Sequence, residues 1–278
     1  MPQATKHDTV KQSTDAASRL RKPLYLDAAG IREVRAEGPA LRIIMHEGVD
    51  RFFPLPRLSR ITIRGPVNVR GDAMLAILSA GLSIVWLRGD ATAAGHVLSA
   101  SPRIDALLEQ RLQDLAETGE LPHVLENWRL AMLRRLILSE VMPHLGWVKD
   151  MRTRSIRGMA GGKIHKRLGI RWEKEIRAFL PLRLSLALGE WQELGISAIW
   201  LDPGPERPDL AALVAGLLEW PMWHIGLKLR QAPELASWQA RIAFFERHHP
   251  YLLHQTQTII DDLVRHLYAM QPGLTGVL

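Results

Sequence analysis

The spacing of hydrophobic and polar residues along the chain changes near residue 100. Before that point, apolar residues occur in short runs that are separated by turn residues such as Ala29-Gly30, Gly38-Pro39 and Gly48. Runs of this length between turn residues are typical of antiparallel strands and hairpins. We therefore predict strands at Leu24–Leu26, Ile31–Val34, Leu41–Met45, Arg51–Phe53 and Ile61–Ile63.

One helical segment interrupts this β pattern. Residues Asp72–Ala80 are mostly apolar and lack breakers; we expect Asn68 to cap the helix and Gly81 to end it. A buried strand at Leu82–Leu87 and a hairpin-like segment at Gly89–Leu98 are predicted to follow.

Helical spacing begins after Ser99 and continues to the C-terminal end. Apolar residues there recur at i, i+3 and i+4, which is typical of amphipathic helices. Pro181 lies inside one of these patterns and predicts a kink or a break. The predicted helices are Ile104 to Gly119, Val124–Met142 ending before Pro143, Glu173–Leu194, Asp209–Leu218, Trp238–His248 and Thr256–Met270.

These patterns predict an α+β protein in which a β-rich, β-sandwich-like domain at 23–100 precedes an all-helical domain at 101–278. Residues 1–22 are polar and without periodicity, so we expect a flexible tail. No repeat of fixed period is present.

Composition excludes several classes of protein. The apolar fraction of 47% is that of a globular chain, and the absence of cysteine excludes disulfides, thiolate metal sites and cysteine nucleophiles. No uninterrupted apolar run reaches the length of about 18 residues that a membrane span needs, so we expect a cytoplasmic protein without membrane contact. The isoelectric point near 10 favours an anionic partner.

Positive charge is concentrated in one stretch. Residues 149–177 hold ten Lys or Arg and three acids, a net charge of +7 that equals the charge of the whole chain. The remaining residues are therefore balanced. A local basic stretch is a common feature of proteins that bind polyphosphates such as nucleic acids. A solvated helix face without a ligand would show the same charge pattern.

Glycines at 158, 161 and 162 interrupt this stretch and predict close approach of its backbone to a ligand or another helix. We predict that the phosphates of a polyphosphate partner bind to its basic side chains. The candidate binding residues are Arg152, Arg154, Arg157, Lys163, His165, Lys166, Arg167 and Arg171.

Two segments of the N-terminal half resemble a known family. The segment Pro56–Arg70 and the segment Leu75–Gly89, a helix ending in glycine before an apolar strand, are similar to the N-terminal domain of Cas1, the CRISPR adaptation integrase. The resemblance runs from about Leu24 to Leu98 and continues more weakly through the helical half. It implies a β domain for homodimerisation and a helical domain that binds DNA and holds a Mg²⁺ or Mn²⁺ ion.

The motifs that carry the metal ligands in this family are altered. The segment Ile156–Gly161 resembles Leu-Arg-Gly-Ile-Glu-Gly, with Ala160 at the glutamate. Asp202 stands where the resemblance places a histidine. Asp209 matches the start of an Asp-Leu-Met-Glu-like motif, whose second acid is replaced by Ala212; another register places Val214 and Leu217 at these positions.

Alanine offers no ligand atom to a hard cation, which carboxylate oxygens hold. The resemblance and its departures together imply a DNA-binding scaffold of spacer acquisition that lacks catalysis and needs no cofactor, with Cas2 and an active Cas1 paralogue as partners. One alternative is a working integrase or endonuclease with rearranged ligands, Asp202 and Asp209 among them, and a bound Mg²⁺ or Mn²⁺. Another is a subunit whose basic stretch meets an acidic protein instead of DNA.

Other motifs are assigned to structure. We expect His248, His249 and His254 at helix ends or on the surface, and most tryptophans, including those of Trp220–His224, in the core or as interface anchors. Gly161-Gly162-Lys163 lacks the glycine spacing and the preceding strand of a phosphate-binding loop, and the serines lack His and Asp partners for hydrolysis.

Overall fold

A computed structural model describes residues 21–89, 93–99, 105–145, 152–201, 207–229 and 235–270. The chain divides into two compact units, with the division between residues 100 and 101. The predicted tail at 1–22 lies almost wholly outside the described residues.

The N-terminal unit contains two four-stranded sheets. Strands β1 (Lys22–Asp27), β5 (Leu58–Arg64), β7 (Ile84–Leu87) and β8 (Ala93–Val97) form one sheet in the order β1-β5-β7-β8. Strands β2 (Ile31–Glu37), β3 (Ala40–Met45), β4 (Arg51–Pro54) and β6 (Asn68–Val69) form the other in the order β4-β3-β2-β6. The predicted β-rich half is confirmed.

Side chains from both sheets share one apolar core, which includes Leu26, Val34, Leu41 and Ile61. The prediction of antiparallel pairing throughout was wrong. Strand β5 pairs in parallel with both β1 and β7, and β2 pairs in parallel with β6. Parallel neighbours require crossover connections, and the short-range turn pattern carries no information about them.

Helix α1 (Gly71–Ser79) contributes Ala73 and Ile77 to the same core. Gly81 follows it with a φ of 75°, in the left-handed conformation that helix ends favour, as predicted. The predicted cap was wrong, because Asn68 lies in β6 and Arg70 precedes the helix. Parallel pairing with β2 draws Asn68 into the sheet.

The C-terminal unit is helical among its described residues, as predicted. Two short 3₁₀ turns, Leu55–Arg57 in the first unit and Ala198–Trp200 in the second, complete the described elements. The helices of the second unit are α2 (Ala106–Glu117), α3 (Leu121–Leu136), α4 (Met142–Leu145), α5 (Thr153–Ala178), α6 (Leu180–Leu194), α7 (Leu210–Leu217), α8 (Glu219–Leu229), α9 (Trp238–Arg247) and α10 (His249–Ala269).

Helix α3 continues into α4 through a wider π turn, Ile137–Val141, and does not end before Pro143 as predicted. The N–H of Met142 donates to the carbonyl of Ile137, five residues earlier. A turn of this width leaves room for a proline that has no N–H to donate.

Helix α5 begins twenty residues before the predicted start at Glu173. It is broken at Gly169, whose φ of 73° and ψ of 171° lie outside the helical region. Ala160, Ile164 and Leu168 before the break are buried, as are Trp172 and Ile176 after it. Its many charges and glycines hid this four-residue repeat. The break predicted from Pro181 is confirmed, since α5 ends at Ala178 and α6 begins at Leu180.

Helix α10 begins seven residues before the predicted Thr256, with Pro250 in its first turn, where its missing N–H costs nothing. Residues Leu210–Leu229, which span α7 and α8, form one stretch of 20 residues long and apolar enough to cross a membrane by length and composition, but 72% of it is buried inside the protein. Such burial is typical of core helices.

Candidate nucleic-acid interface

The N-terminal half of α5, Thr153–Leu168, carries five Lys or Arg and no acid. The buried stripe that includes Ala160 and Ile164 attaches it to the rest of the unit, so its cations point away from the core. The exposed predicted residues are Arg152, Arg157, Lys163, His165, Lys166, Arg167 and Arg171. The side chain of Arg154 lies outside the described residues.

These cations occupy different sides of the helix. Arg157 and His165 line a cavity together with Gly161. Lys163 and Arg167 lie on another side and contact the end of α4: Lys163 Nζ donates to the carbonyl of Leu145 at 3.1 Å, and Arg167 Nη1 donates to that of His144 at 2.5 Å. The stretch therefore presents two basic surfaces.

The cavity has a volume of about 480 Å³ and lies between α3, α5, α7 and α8. Three small residues contribute to its wall, Gly161 on α5 and Ala212 and Gly216 on α7. Trp220 and Trp223 of α8 also line it while remaining buried, at 6% exposure each, which confirms their predicted place in the core.

Charged groups at the cavity are paired with one another. Arg129 binds both carboxylate oxygens of Glu126 at 2.7 Å. Glu173 accepts from Arg177 and lies 3.5 Å from His165 Nδ1. The Trp223 indole N–H donates to Glu219 at 3.2 Å. A polyanion that entered here would meet the guanidinium groups of Arg129 and Arg157 and the carboxylates of Glu173 and Glu219.

The structure describes two of the positions that the resemblance assigns to metal ligands. Ala160 is fully buried and contributes only a methyl group. Asp209 caps α7 by accepting the N–H of Ala212 at 2.7 Å, and Asp202 lies outside the described residues. Within the described ranges, no group of three or more His, Asp or Glu is arranged to hold a metal ion. The donors described here therefore do not fit the ion.

Of the two predicted roles for the glycines of the basic stretch, close approach to another helix is wrong, and close approach to a ligand stays a prediction. No atom lies within 4 Å of a Cβ added at Gly158, Gly161 or Gly162. The close contact is at Gly226 of α8, where an added Cβ would lie 2.1 Å from the indole nitrogen of Trp172 on α5. Trp172 is fully buried, so this contact sets the distance between two walls of the cavity.

Sequence reasoning missed Arg183, which is 3% exposed. It donates to the carbonyls of Ala215 at 3.0 Å and Ile176 at 3.3 Å, and so ties α7 to the end of α5. Burial lowers its pKa to about 10, opposed by the charge of Glu219, which leaves it protonated at neutral pH. Its position among leucines in α6 was the available signal.

The histidines of the last two helices have structural roles, as expected. His248 ends α9 and packs its ring at 4.7 Å from that of Phe244. Burial lowers the pKa of His248. His254 is exposed on α10.

The sequence matches no protein-family model and no curated protein. The fold, however, has clear relatives among solved structures. A Cas1 protein from Thermotoga maritima superposes with a TM-score of 0.68 at 10% identity, over 90% of this chain and 98% of that one. This chain has the Cas1 fold.

Two further solved structures have the same fold as this chain. TtCas1 in complex with DNA gives a TM-score of 0.61 at 14% identity and covers 91% of this chain and 94% of that chain. A casposase bound to its integration product gives 0.54 at 11% identity and covers 88% and 82%. The Cas1 fold predicted from Pro56–Arg70 and Leu75–Gly89 is thus confirmed, in a chain that has diverged far in sequence.

Proposed function

We propose that this protein is a Cas1-like DNA-binding component of CRISPR spacer acquisition that acts as a scaffold without strand transfer. The observation that carries the proposal is the combination at α5 in a Cas1 fold: exposed basic side chains lie along the helix, Arg157 and His165 among them at the cavity, while the position that the resemblance assigns to the glutamate holds a buried alanine. The cations can bind phosphates, and the donor set lacks what activation of a 3′ hydroxyl by a metal requires.

Proteins with this fold support DNA as the ligand, since TtCas1 was solved in complex with DNA and the casposase was solved bound to its integration product. A complex of Cas6-RT-Cas1 with Cas2 matches 90% of this chain, with 35% of that chain covered, at a TM-score of 0.58. By analogy we propose Cas2 as a partner. Homodimerisation through the β domain and pairing with a catalytically active Cas1 paralogue complete the proposal.

The test combines binding and cleavage in one gel. Purified protein is mixed with a labelled branched DNA, with and without Mn²⁺. We expect retarded DNA in both lanes and no cleaved or joined product. A Mn²⁺-dependent product that Asp202→Ala or Asp209→Ala abolishes would establish the working enzyme instead. The absence of a shift near 150 mM salt would favour an acidic protein partner.

A further inference from the structure

A polar network lies at the π turn 137–141, next to the helix α4 that Lys163 and Arg167 contact. The carboxylate of Glu140 accepts from the Tyr251 hydroxyl at 2.5 Å and lies 3.5 Å from the amide of Gln255. His224 Nδ1 lies 2.7 Å from the Glu140 carbonyl and 3.3 Å from its carboxylate. His144 Nε2 lies 3.2 Å from the same nitrogen of His224.

These distances determine where the protons are. Both Glu140 atoms that face His224 Nδ1 are acceptors, so Nδ1 carries the proton. His144 Nε2 must then present its lone pair to that N–H, which makes His144 neutral. A second proton on His144 would set two N–H groups against each other, because His224 has no lone pair to offer there.

The surroundings also oppose a charge on His144. Arg167 and Lys163 approach from α5 and Lys228 from α8, and Glu140 on the π turn is the acid that faces it. Tyr251 on α10 stays neutral because burial and the bond to Glu140 raise its pKa. Burial, with His224, Lys228 and Arg167, lowers the pKa of His144. Its neutral form is therefore the one that this packing selects.

The short helix α4, which carries His144, also holds two basic side chains of α5 in place. Lys163 and Arg167 donate to the last two carbonyls of α4, those of Leu145 and His144. We call these two bonds the latch. While the latch is closed, two cations of α5 are occupied by carbonyl oxygens.

The half-helix that carries the latch is separated from the rest of α5 by a break in helical geometry. Gly169 has backbone angles that only glycine adopts readily, and it separates residues 153–168 from the rest of α5. His165 lies 3.5 Å from Glu173 and so joins the two halves across the break. A proton on His144 removes the acceptor that faces His224 Nδ1–H and so weakens the contact of α4 with its neighbours.

We propose that protonation of His144 opens the latch, which frees Lys163 and Arg167 to bind phosphates. The conformational part stands on the described contacts alone. The consequence for DNA rests on the proposed function, and the two parts are tested separately.

Hydrogen–deuterium exchange tests the conformational part without DNA. After correction for intrinsic rates, we expect the amides of α4, those of Met142, His144 and Leu145, to lose about tenfold protection between pH 7.5 and pH 5.5. His144→Gln keeps a neutral acceptor, so its protection should not change with pH. His123→Gln, an exposed histidine on α3, is the matched control and should respond like the wild type.

Arg167→Gln provides a second variant that does not alter the network. It should show the open pattern already at pH 7.5. Equal protection of the wild type at both pH values, or an unchanged pH response in His144→Gln, would overturn the latch.

Salt titration of DNA binding tests the consequence. Two added phosphate contacts make the slope of log K against log[salt] steeper by about 2. We expect this steepening at pH 5.5 in the wild type and in His123→Gln, and its absence in His144→Gln. Equal slopes in wild type and His144→Gln would refute the role in DNA binding. If DNA fails to bind at either pH, the proposed function fails, and the exchange data still decide the latch.

Discussion

Gly226 offers a direct test of how α5 is held against α8. A Cβ at this position would lie 2.1 Å from Nε1, 2.5 Å from Cε2 and 2.9 Å from Cζ2 of Trp172. The indole has little room to withdraw, because it is fully buried and meets Phe244 edge-on at 5.7 Å between ring centroids. Gly226→Ala therefore forces the two helices apart.

The expected cost follows from two opposing effects. Overpacking of a close-packed core costs about 3 kcal/mol at the upper end of its usual range. Alanine in place of glycine within a helix raises the free energy of unfolding by about 1 kcal/mol. We expect Gly226→Ala to lower the free energy of unfolding by about 2 kcal/mol, or the melting temperature by about 4–8 °C for a unit of this size.

Thermal and urea unfolding, followed by circular dichroism, measure this change. The matched control is Gly162→Ala on α5, which is exposed and has no atom within 4 Å of the added Cβ. It should raise stability by roughly 0.5–1 kcal/mol through helix propensity alone. If Gly226→Ala proved as stable as the wild type, the close contact of Trp172 with α8 would be wrong.

Three further outcomes are expected. Arg157→Gln with Lys166→Gln should make the salt dependence of DNA binding shallower by about 2, while Arg265→Gln on α10 leaves it unchanged; equal effects in a filter-binding titration would contradict an interface on α5. Asp209→Ala should cost about 1 kcal/mol in urea unfolding through loss of the cap, with DNA affinity unaltered in the gel assay. Because the folded pKa of His144 is lowered, the unfolded state takes up its proton first, so stability is full above about pH 6.5 and falls as the pH drops below it. Urea titrations should show that acid lowers the free energy of unfolding less in His144→Gln than in the wild type. Equal decreases in the two proteins would show that His144 does not cause the pH dependence.

Periodicity was enough to predict the class of most elements, since short runs became strands and the i, i+3, i+4 pattern became helices. Single residues located two boundaries, Gly81 through its positive φ and Pro181 through its missing N–H. The parallel pairs and the π turn before Pro143 depend on contacts between distant segments, which local patterns do not contain.

The candidate site was predictable only in part. The density of positive charge was enough to predict α5 as the basic segment. The side of the helix on which each cation lies depends on the buried stripe of Ala160, Ile164 and Leu168. That stripe repeats every four residues and could have been found behind the charges. The contact of Gly226 with Trp172 and the carbonyl bonds of Arg183 have no counterpart in a local motif, because their partners lie far away in the chain.

The burial of Ala160 limits which residues can occupy this position. A glutamate there would have four more heavy atoms to accommodate and a charge to desolvate, which costs several kcal/mol without a partner. Exchange of this alanine for an acid therefore requires its neighbours to repack. Random mutagenesis followed by selection for folded protein should recover only small residues here.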